Sequence, residues 1–454
     1  MSATAINYFI QNENVFLDIL KDFVAIPSVS ADSSKNEQIQ RAADFLSGYL
    51  KQLGFLNIKL IETDKHPVVF AELKSQDPAA LTLLVYGHYD VQPADPTDEW
   101  KTPAFSPTII GDYLYGRGAS DMKGQVMACL FAIESIIQTS HMPINIKVIF
   151  EGEEEIGSPS LDNVLKNNKD LLKADVILNP DAGMVSPDKP TIVYGLRGLA
   201  YFELMIRGPK ADLHSGMFGG IIHNPAIVLS EVVSGMHDGN GQVTLPGFYD
   251  NVINLSSDEK ARIASLDISE QHYIEMTGVK QLHGEKGYTL LERLGARPTL
   301  DVNGLYSGYI GEGAKTIIPS YASAKISCRL VPNQDPNAVY GQFIKYLELK
   351  VPPTVTWELK QLSGGPAYLT GDAPGLTQMK NAFEKVWNKP VVYKREGGSV
   401  PVATAFKEIL GVDSILTGFG LPDDQIHSPN ERLHLPTWNK GVQALINFLL
   451  EFAN

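Results

Sequence analysis

Apolar residues change their spacing several times along the chain, and each change marks an element. Val15, Phe16, Ile19, Leu20 and Phe23 recur at helical intervals and stop before Pro27. Ile39, Ala42, Phe45, Leu46, Tyr49, Leu50 and Leu53 repeat the pattern up to Gly54, so two amphipathic helices are expected. Short, mainly apolar runs follow: Val68 to Leu73, Leu81 to Tyr86, Ile144 to Phe150 and Val176 to Leu178. A helical stretch from about Met122 to Ile137 lies between the second and third. Runs dominated by apolar residues suit parallel strands covered on both faces, which makes this part an α/β sandwich.

From about Gly195 the texture differs. Ala200 to Ile206, Lys325 to Leu330 and Thr354 to Leu359 read as strands, and Pro225 to Met236 and Asn337 to Leu347 as helices, a compact α+β arrangement. After the turn-rich Ser363 to Pro374, alternation of helix and strand resumes with Leu376 to Trp387, Val391 to Tyr393, Val402 to Leu410, Ser414 to Leu416 and Trp438 to Phe452. The expected organisation is a discontinuous α/β domain over 1–194 and 364–454 with a second domain, 195–363, inserted into it. A length of 454 residues agrees with more than one domain, at roughly 100–200 residues each.

Composition narrows the function classes. The 38 lysines and arginines against 52 aspartates and glutamates give a net charge of −14 with no local basic stripe, which argues against nucleic-acid binding. The two cysteines, Cys129 and Cys328, sit in apolar stretches and can build neither a disulfide framework nor a thiolate metal cluster. Met1 to Ile10 lacks the pattern of a secretory signal, and no apolar run approaches the roughly 20 residues of a membrane span. The expectation is a cytoplasmic protein with no membrane partner.

Polar residues with chemical potential gather where strands end. Gly87-His88-Tyr89-Asp90 follows an apolar strand; residues two apart on extended chain share a face, so His88 and Asp90 can lie together at the strand's carboxyl end. Alone, the pair reads more readily as a histidine satisfied at a turn. Asp121, in Gly116-Arg117-Gly118-Ala119-Ser120-Asp121-Met122-Lys123-Gly124, could simply cap the following helix, as could Ser120. Phosphate binding fits that loop poorly, because the lysine is not followed by serine or threonine. Glu151-Gly152-Glu153-Glu154-Glu155 crowds carboxylates at a strand end, which calls for a cation or raised pKa values if two point inward, or else is a solvated acidic turn. Asp181 follows the next strand, and His427 lies in the polar loop Gln425 to Glu431. Two imidazoles, several carboxylates and no thiolate at successive strand and loop ends together favour a dinuclear metal site of hard-to-borderline character.

These segments resemble, in order and setting, the signature of the aminoacylase and dipeptidase family of dinuclear zinc hydrolases, with the strongest likeness to carnosinase-like dipeptidases. Tyr194-Gly195-Leu196-Arg197-Gly198, Asp212-Leu213-His214-Ser215-Gly216, Gly313 to Pro319, Ser327 to Pro332 and Glu396-Gly397-Gly398-Ser399-Val400-Pro401 carry that branch, and the likeness extends from about Phe23 to the carboxyl end. The resemblance implies an α/β/α catalytic domain of the zinc-peptidase type with an inserted lid and dimerisation domain. It implies that Asp121 bridges two divalent ions, zinc or else manganese or cobalt, with His88 and Asp181 on one and Glu155 and His427 on the other. Asp90 would orient His88, and Glu154 would act as general base on a water between the metals. His214 would complete the oxyanion site of a partner subunit in a homodimer. Thr316, Arg329, Gly398 and Ser399 would hold the free carboxylate of a short peptide substrate. Three consecutive glutamates stand where the family shows two; Ile156-Gly157-Ser158 sets the register and leaves Glu153 aside. The implied activity is dipeptide hydrolysis, with an N-acyl-amino-acid amidohydrolase as the alternative and a metal-free binding or scaffold protein as the third reading.

Overall fold

A computed structural model describes residues 1–398 and 401–453. The chain divides into two compact units: Met1–Tyr194 with Thr370–Lys394 and Pro401–Asn454, and Gly195–Leu369 with Arg395–Val400. The second unit continues past position 363, because the strand Thr356–Gly365 stays paired with Gly198–Arg207 as far as Gly365.

In the first unit the sheet contains β1 (Leu56–Ile61), β2 (Val68–Leu73), β3 (Thr82–His88), β4 (Asn145–Glu151), β5 (Val176–Asn179), β6 (Thr191–Leu196) and β7 (Ser414–Leu416), in the order β1-β2-β4-β3-β5-β7-β6. The pairs β3–β4, β3–β5 and β5–β7 are parallel, as the mainly apolar runs predict. The run Val68 to Leu73 is an exception. It is antiparallel to both neighbours, because the short connection from β1 reverses the chain before β2 and permits no crossover.

Side chains of β3 alternate between two layers. Leu83 and Val85 join a core with the helices Glu13–Val24, Asn36–Gln52, Lys123–Ile137 and Leu435–Glu451. Tyr86, on the other face, meets the ring of Phe406 at 5.4 Å. The architecture is therefore α/β/α. The helix Lys123–Ile137 is apolar around most of its circumference and accordingly sits deep in the core. Gly124 permits its close approach: a Cβ there would lie 2.2 Å from the Ala119 carbonyl oxygen. The Trp438 indole donates to the Gly124 carbonyl at 2.8 Å and meets Phe131 edge-on, fixing the last helix against this one.

The second unit is an antiparallel four-stranded sheet, in the order Thr299–Ser307, Tyr321–Leu330, Gly198–Arg207, Thr356–Gly365. Ala200, Phe202, Leu204 and Ile206 alternate with less buried residues and pack with the helices Pro225–Ser234 and Pro336–Lys350, the α+β pattern expected of half-buried strands. Thr299–Ser307, with Asp301, Asn303 and Gly304, lacks the apolar alternation that identifies a strand from sequence. No helix among the described residues is long and apolar enough to cross a membrane.

Candidate metal centre

The carboxyl ends of β3, β4 and β5 and two loops bring seven of the expected residues together in the first unit. His88 closes β3, opposite Glu151 at the end of β4, and is fully buried. Its Nε2 lies 3.1 Å from Asp121 Oδ1 and 4.0 Å from Asp181 Oδ1. The other Asp121 oxygen, Oδ2, lies 3.0 Å from Nε2 of His427, and that nitrogen is 3.1 Å from Glu155 Oε2. Asp121 thus turns one oxygen toward each of two groups, His88–Asp121–Asp181 and Asp121–Glu155–His427, whose potential ligand atoms lie within 4.8 Å of one another. It does not cap the following helix, whose N-cap position is Met122.

On its other side, His88 Nδ1 lies 3.0 Å from the backbone oxygen of Asp90 and 3.4 Å from that residue's carboxylate. The Asp90 carboxylate also accepts the backbone N–H groups of Glu154 at 3.2 Å and Glu155 at 3.1 Å. It therefore holds the turn carrying both glutamates as well as facing the imidazole, a link that sequence spacing does not reveal. Gln92 Nε2 donates to Glu155 Oε2 at 2.9 Å, adding a further orienting group that the sequence reading missed.

Electrostatics within this cluster favour a bound cation. Burial pushes the Asp181 carboxyl up to about 7, and the charges of Asp121 and Glu155 add to the rise against the opposing effect of His88. Burial also holds the Glu154 carboxyl well above its ordinary range, reinforced by Asp181, Asp121 and Glu155. Hydrogen bonds to Asp121 and Glu155 raise His427 to about 10. So many carboxylates in so little water are mutually destabilising without positive charge among them. Carboxylate oxygens with one imidazole per group suit zinc, manganese or cobalt, so the donor set fits divalent ions.

Glu153 faces elsewhere. One carboxylate oxygen accepts from Thr63 Oγ1 at 2.7 Å and the His66 N–H at 3.0 Å, and the other accepts the Ser160 N–H at 3.2 Å. Glu153 stands just before the three-residue turn Glu154–Ile156 with a φ of −133°, so its side chain leaves the backbone ahead of the turn that carries the two glutamates that follow. Glu153→Gln is expected to keep most activity and to lower thermal stability, because the amide retains only part of this acceptor set. Parallel measurement of kcat and Tm checks it; an inactive but stable variant would move the register by one residue.

In the second unit, Leu213–His214 pairs with Ile317–Ile318, and the Thr316 carbonyl accepts the Ser215 N–H at 3.1 Å, so His214 and Thr316 are close neighbours. His214 is exposed, with Nδ1 accepting the Gly216 N–H at 3.0 Å. Arg329 sits on Tyr321–Leu330 opposite Leu199 and Thr299. Arg197, to which the sequence reading gave no role, donates from Nε to the Gly397 carbonyl at 2.9 Å, next to Gly398. Burial and then the Arg329 charge push its guanidinium down to about 10. Ser399 lies outside the described residues.

The chain is similar to known proteins over nearly its whole length. Peptidase family M20/M25/M40 matches residues 84–451. Cys-Gly metallodipeptidase DUG1 of Candida albicans is 37% identical, covering 96% of this chain and 94% of that protein. Human Beta-Ala-His dipeptidase is 31% identical over 98% of this chain and 92% of its own length. The crystal structure of an M20 family metallo-carboxypeptidase from Sulfolobus solfataricus superposes with a TM-score of 0.87 at 35% identity, covering 96% of this chain and 99% of that one. Alignment over nearly the full length, with paired carboxylate and imidazole groups at the strand ends, establishes that the chain belongs to peptidase family M20/M25/M40.

Proposed function

We propose that this enzyme is a metal-dependent dipeptidase that cleaves the amide bond of dipeptides or related short peptides with a free C-terminal carboxylate. The observation carrying the reading is Asp121, whose two oxygens face separate imidazole-containing groups at 3.1 and 3.0 Å. His88, Asp121 and Asp181 would hold one divalent ion, and Asp121, Glu155 and His427 a second, with zinc the favoured metal and manganese or cobalt compatible with the same donors. When bound, such ions supply Lewis acidity, polarising the scissile carbonyl and making an attacking water more acidic.

The remaining steps fall to side chains. Glu154 belongs to neither ligand group and adjoins the ligand Glu155, a place that suits a carboxylate that takes a proton from water and returns it to the departing amine. Asp90 keeps Glu154 and Glu155 in place through their backbone N–H groups. In the second unit, Arg329 with Thr316, Gly398 and Ser399 would bind the substrate carboxylate, since guanidinium and carboxylate match in bidentate geometry. His214 would stabilise the oxyanion in the other subunit of a homodimer assembled through the inserted unit. Its loop exposes Met217 and Ile221, apolar side chains that a partner would cover. We place the enzyme in the cytoplasm; both cysteines are free and buried, and burial pushes the Cys129 thiol up to about 12, away from oxidation chemistry.

A hydrolysis screen tests this reading. Reconstituted protein should cleave dipeptides in preference to N-acetylated amino acids and to dipeptides whose C-terminal carboxylate is an amide, and metal-depleted protein should cleave none of them. Preference for N-acetylated amino acids would replace it with the amidohydrolase alternative.

A further inference from the structure

We propose that Glu431 is the positioning residue of the metal centre: its buried carboxylate sets the backbone of the Asp121 loop and ties it to the loop carrying His427. This inference rests on the two-ion reading above, and it concerns a residue outside both ligand groups. Glu431 is only 1% exposed. Its Oε1 accepts the N–H groups of Ser120 at 3.0 Å and Asp121 at 3.1 Å. Its Oε2 accepts the Gly118 N–H at 3.0 Å and Nη1 of Arg117 at 2.8 Å. Two carboxylate oxygens offer about four acceptor positions, so all are occupied and none remains for a cation. Its backbone oxygen accepts a fifth bond, from the Gly116 N–H at 3.0 Å. One residue thereby grips the loop from Gly116 to Asp121, more than three hundred positions away in sequence.

The same contacts bear on His427. Gln425, His427 and Asn430 have φ values of 55°, 60° and 68°, a left-handed region that non-glycine residues occupy only where their surroundings over-determine them. Bonds at both ends of this segment supply that constraint. Asp424 accepts from Ser120 Oγ at 2.7 Å through Oδ2 and from the Arg432 N–H at 2.9 Å through its backbone oxygen. Asn430 Nδ2 donates to the Glu99 carbonyl at 2.9 Å. Glu431 joins these to the Asp121 loop, and Arg117 completes the assembly by donating from Nη2 to the Pro93 carbonyl at 3.0 Å, with its guanidinium over the Trp100 ring at 5.3 Å. A buried carboxylate is costly unless paired and fully hydrogen-bonded. Here every bond it makes from the side chain goes to the loop that carries the shared ligand.

Glu431→Gln replaces one acceptor oxygen with a donor amide, so either the Ser120 and Asp121 pair or the Gly118 and Arg117 pair loses its acceptor. Arg117→Lys is the control, because it disturbs the same buried ion pair without removing the acceptor from the loop amides. Metal affinity is read by competition with a chromophoric chelator, and Tm is measured on the metal-free protein. Glu431→Gln is expected to weaken metal binding by about 10–100-fold, as for other outer-layer partners of metal ligands. Arg117→Lys should lower Tm while keeping parent-like affinity. Parent-like affinity in Glu431→Gln, or an equal affinity loss in both variants, would overturn the positioning role. Glu431→Asp keeps the charge and carries the same test if the glutamine variant is insoluble: its shorter side chain should also lose affinity, and unchanged binding overturns the inference. A parent protein that binds no divalent ions would instead defeat the metal reading beneath it.

Discussion

Glu154→Gln is expected to retain both metal ions while lowering kcat by about 10²–10⁴, the range for loss of a positioned general base. Its side chain is absent from both ligand groups, yet the Asp90 carboxylate that faces His88 holds its backbone N–H at 3.2 Å and keeps it beside them. Glutamine keeps the size and the backbone N–H bond to Asp90 but cannot take a proton. Glu155→Gln should behave differently, because Glu155 Oε2 lies 3.1 Å from His427 Nε2 inside a ligand group. There the expected loss is of one ion, with activity recovering at high metal concentration. Metal-to-protein stoichiometry measured beside kcat separates the two cases. Loss of metal from Glu154→Gln would make it a ligand instead of a base.

The parts of this centre that were legible in the sequence share one cause. β3, β4 and β5 are mainly apolar, so polar residues at or just after their carboxyl ends stand out against a hydrophobic background: His88, the glutamate run and Asp181. What could not be read is where backbone donors find their acceptors. Glu153 and Glu154 are adjacent and chemically identical, and only the turn that begins after Glu153, with its Thr63, His66 and Ser160 contacts, separates a carboxylate that braces the backbone from the one proposed as base. Glu431 and Arg117 resemble surface charges in a polar segment, although each is 1% exposed, because a pair formed across the fold leaves no periodic trace. The strand Thr299–Ser307 was missed for a related reason. It occupies a sheet edge, where only one neighbour constrains it and polar residues such as Asp301 and Asn303 are tolerated.

Mixed dimers of His214→Ala and Glu154→Gln are expected to regain activity that neither parent variant possesses. The argument starts from chain position: His214 lies in the inserted unit, on the exposed loop that follows the pair Leu213–His214 with Ile317–Ile318, while Glu154 and every proposed metal ligand belong to the other unit. If two subunits pair through their inserted units about a two-fold axis, each His214 loop is offered reciprocally to the partner's metal centre. Each homodimeric variant then lacks one essential group in both sites and should be nearly inactive. In a heterodimer, one site carries both defects and the other carries neither, so activity should approach half that of the unmodified enzyme at full heterodimer formation. Subunit exchange can be followed by mass-tagged chains while dipeptide hydrolysis is measured on the same sample. Recovery in proportion to the heterodimer fraction supports a shared site. Demonstrated exchange with no recovery would assign His214 to its own subunit's site, since each heterodimer would then hold two singly defective centres.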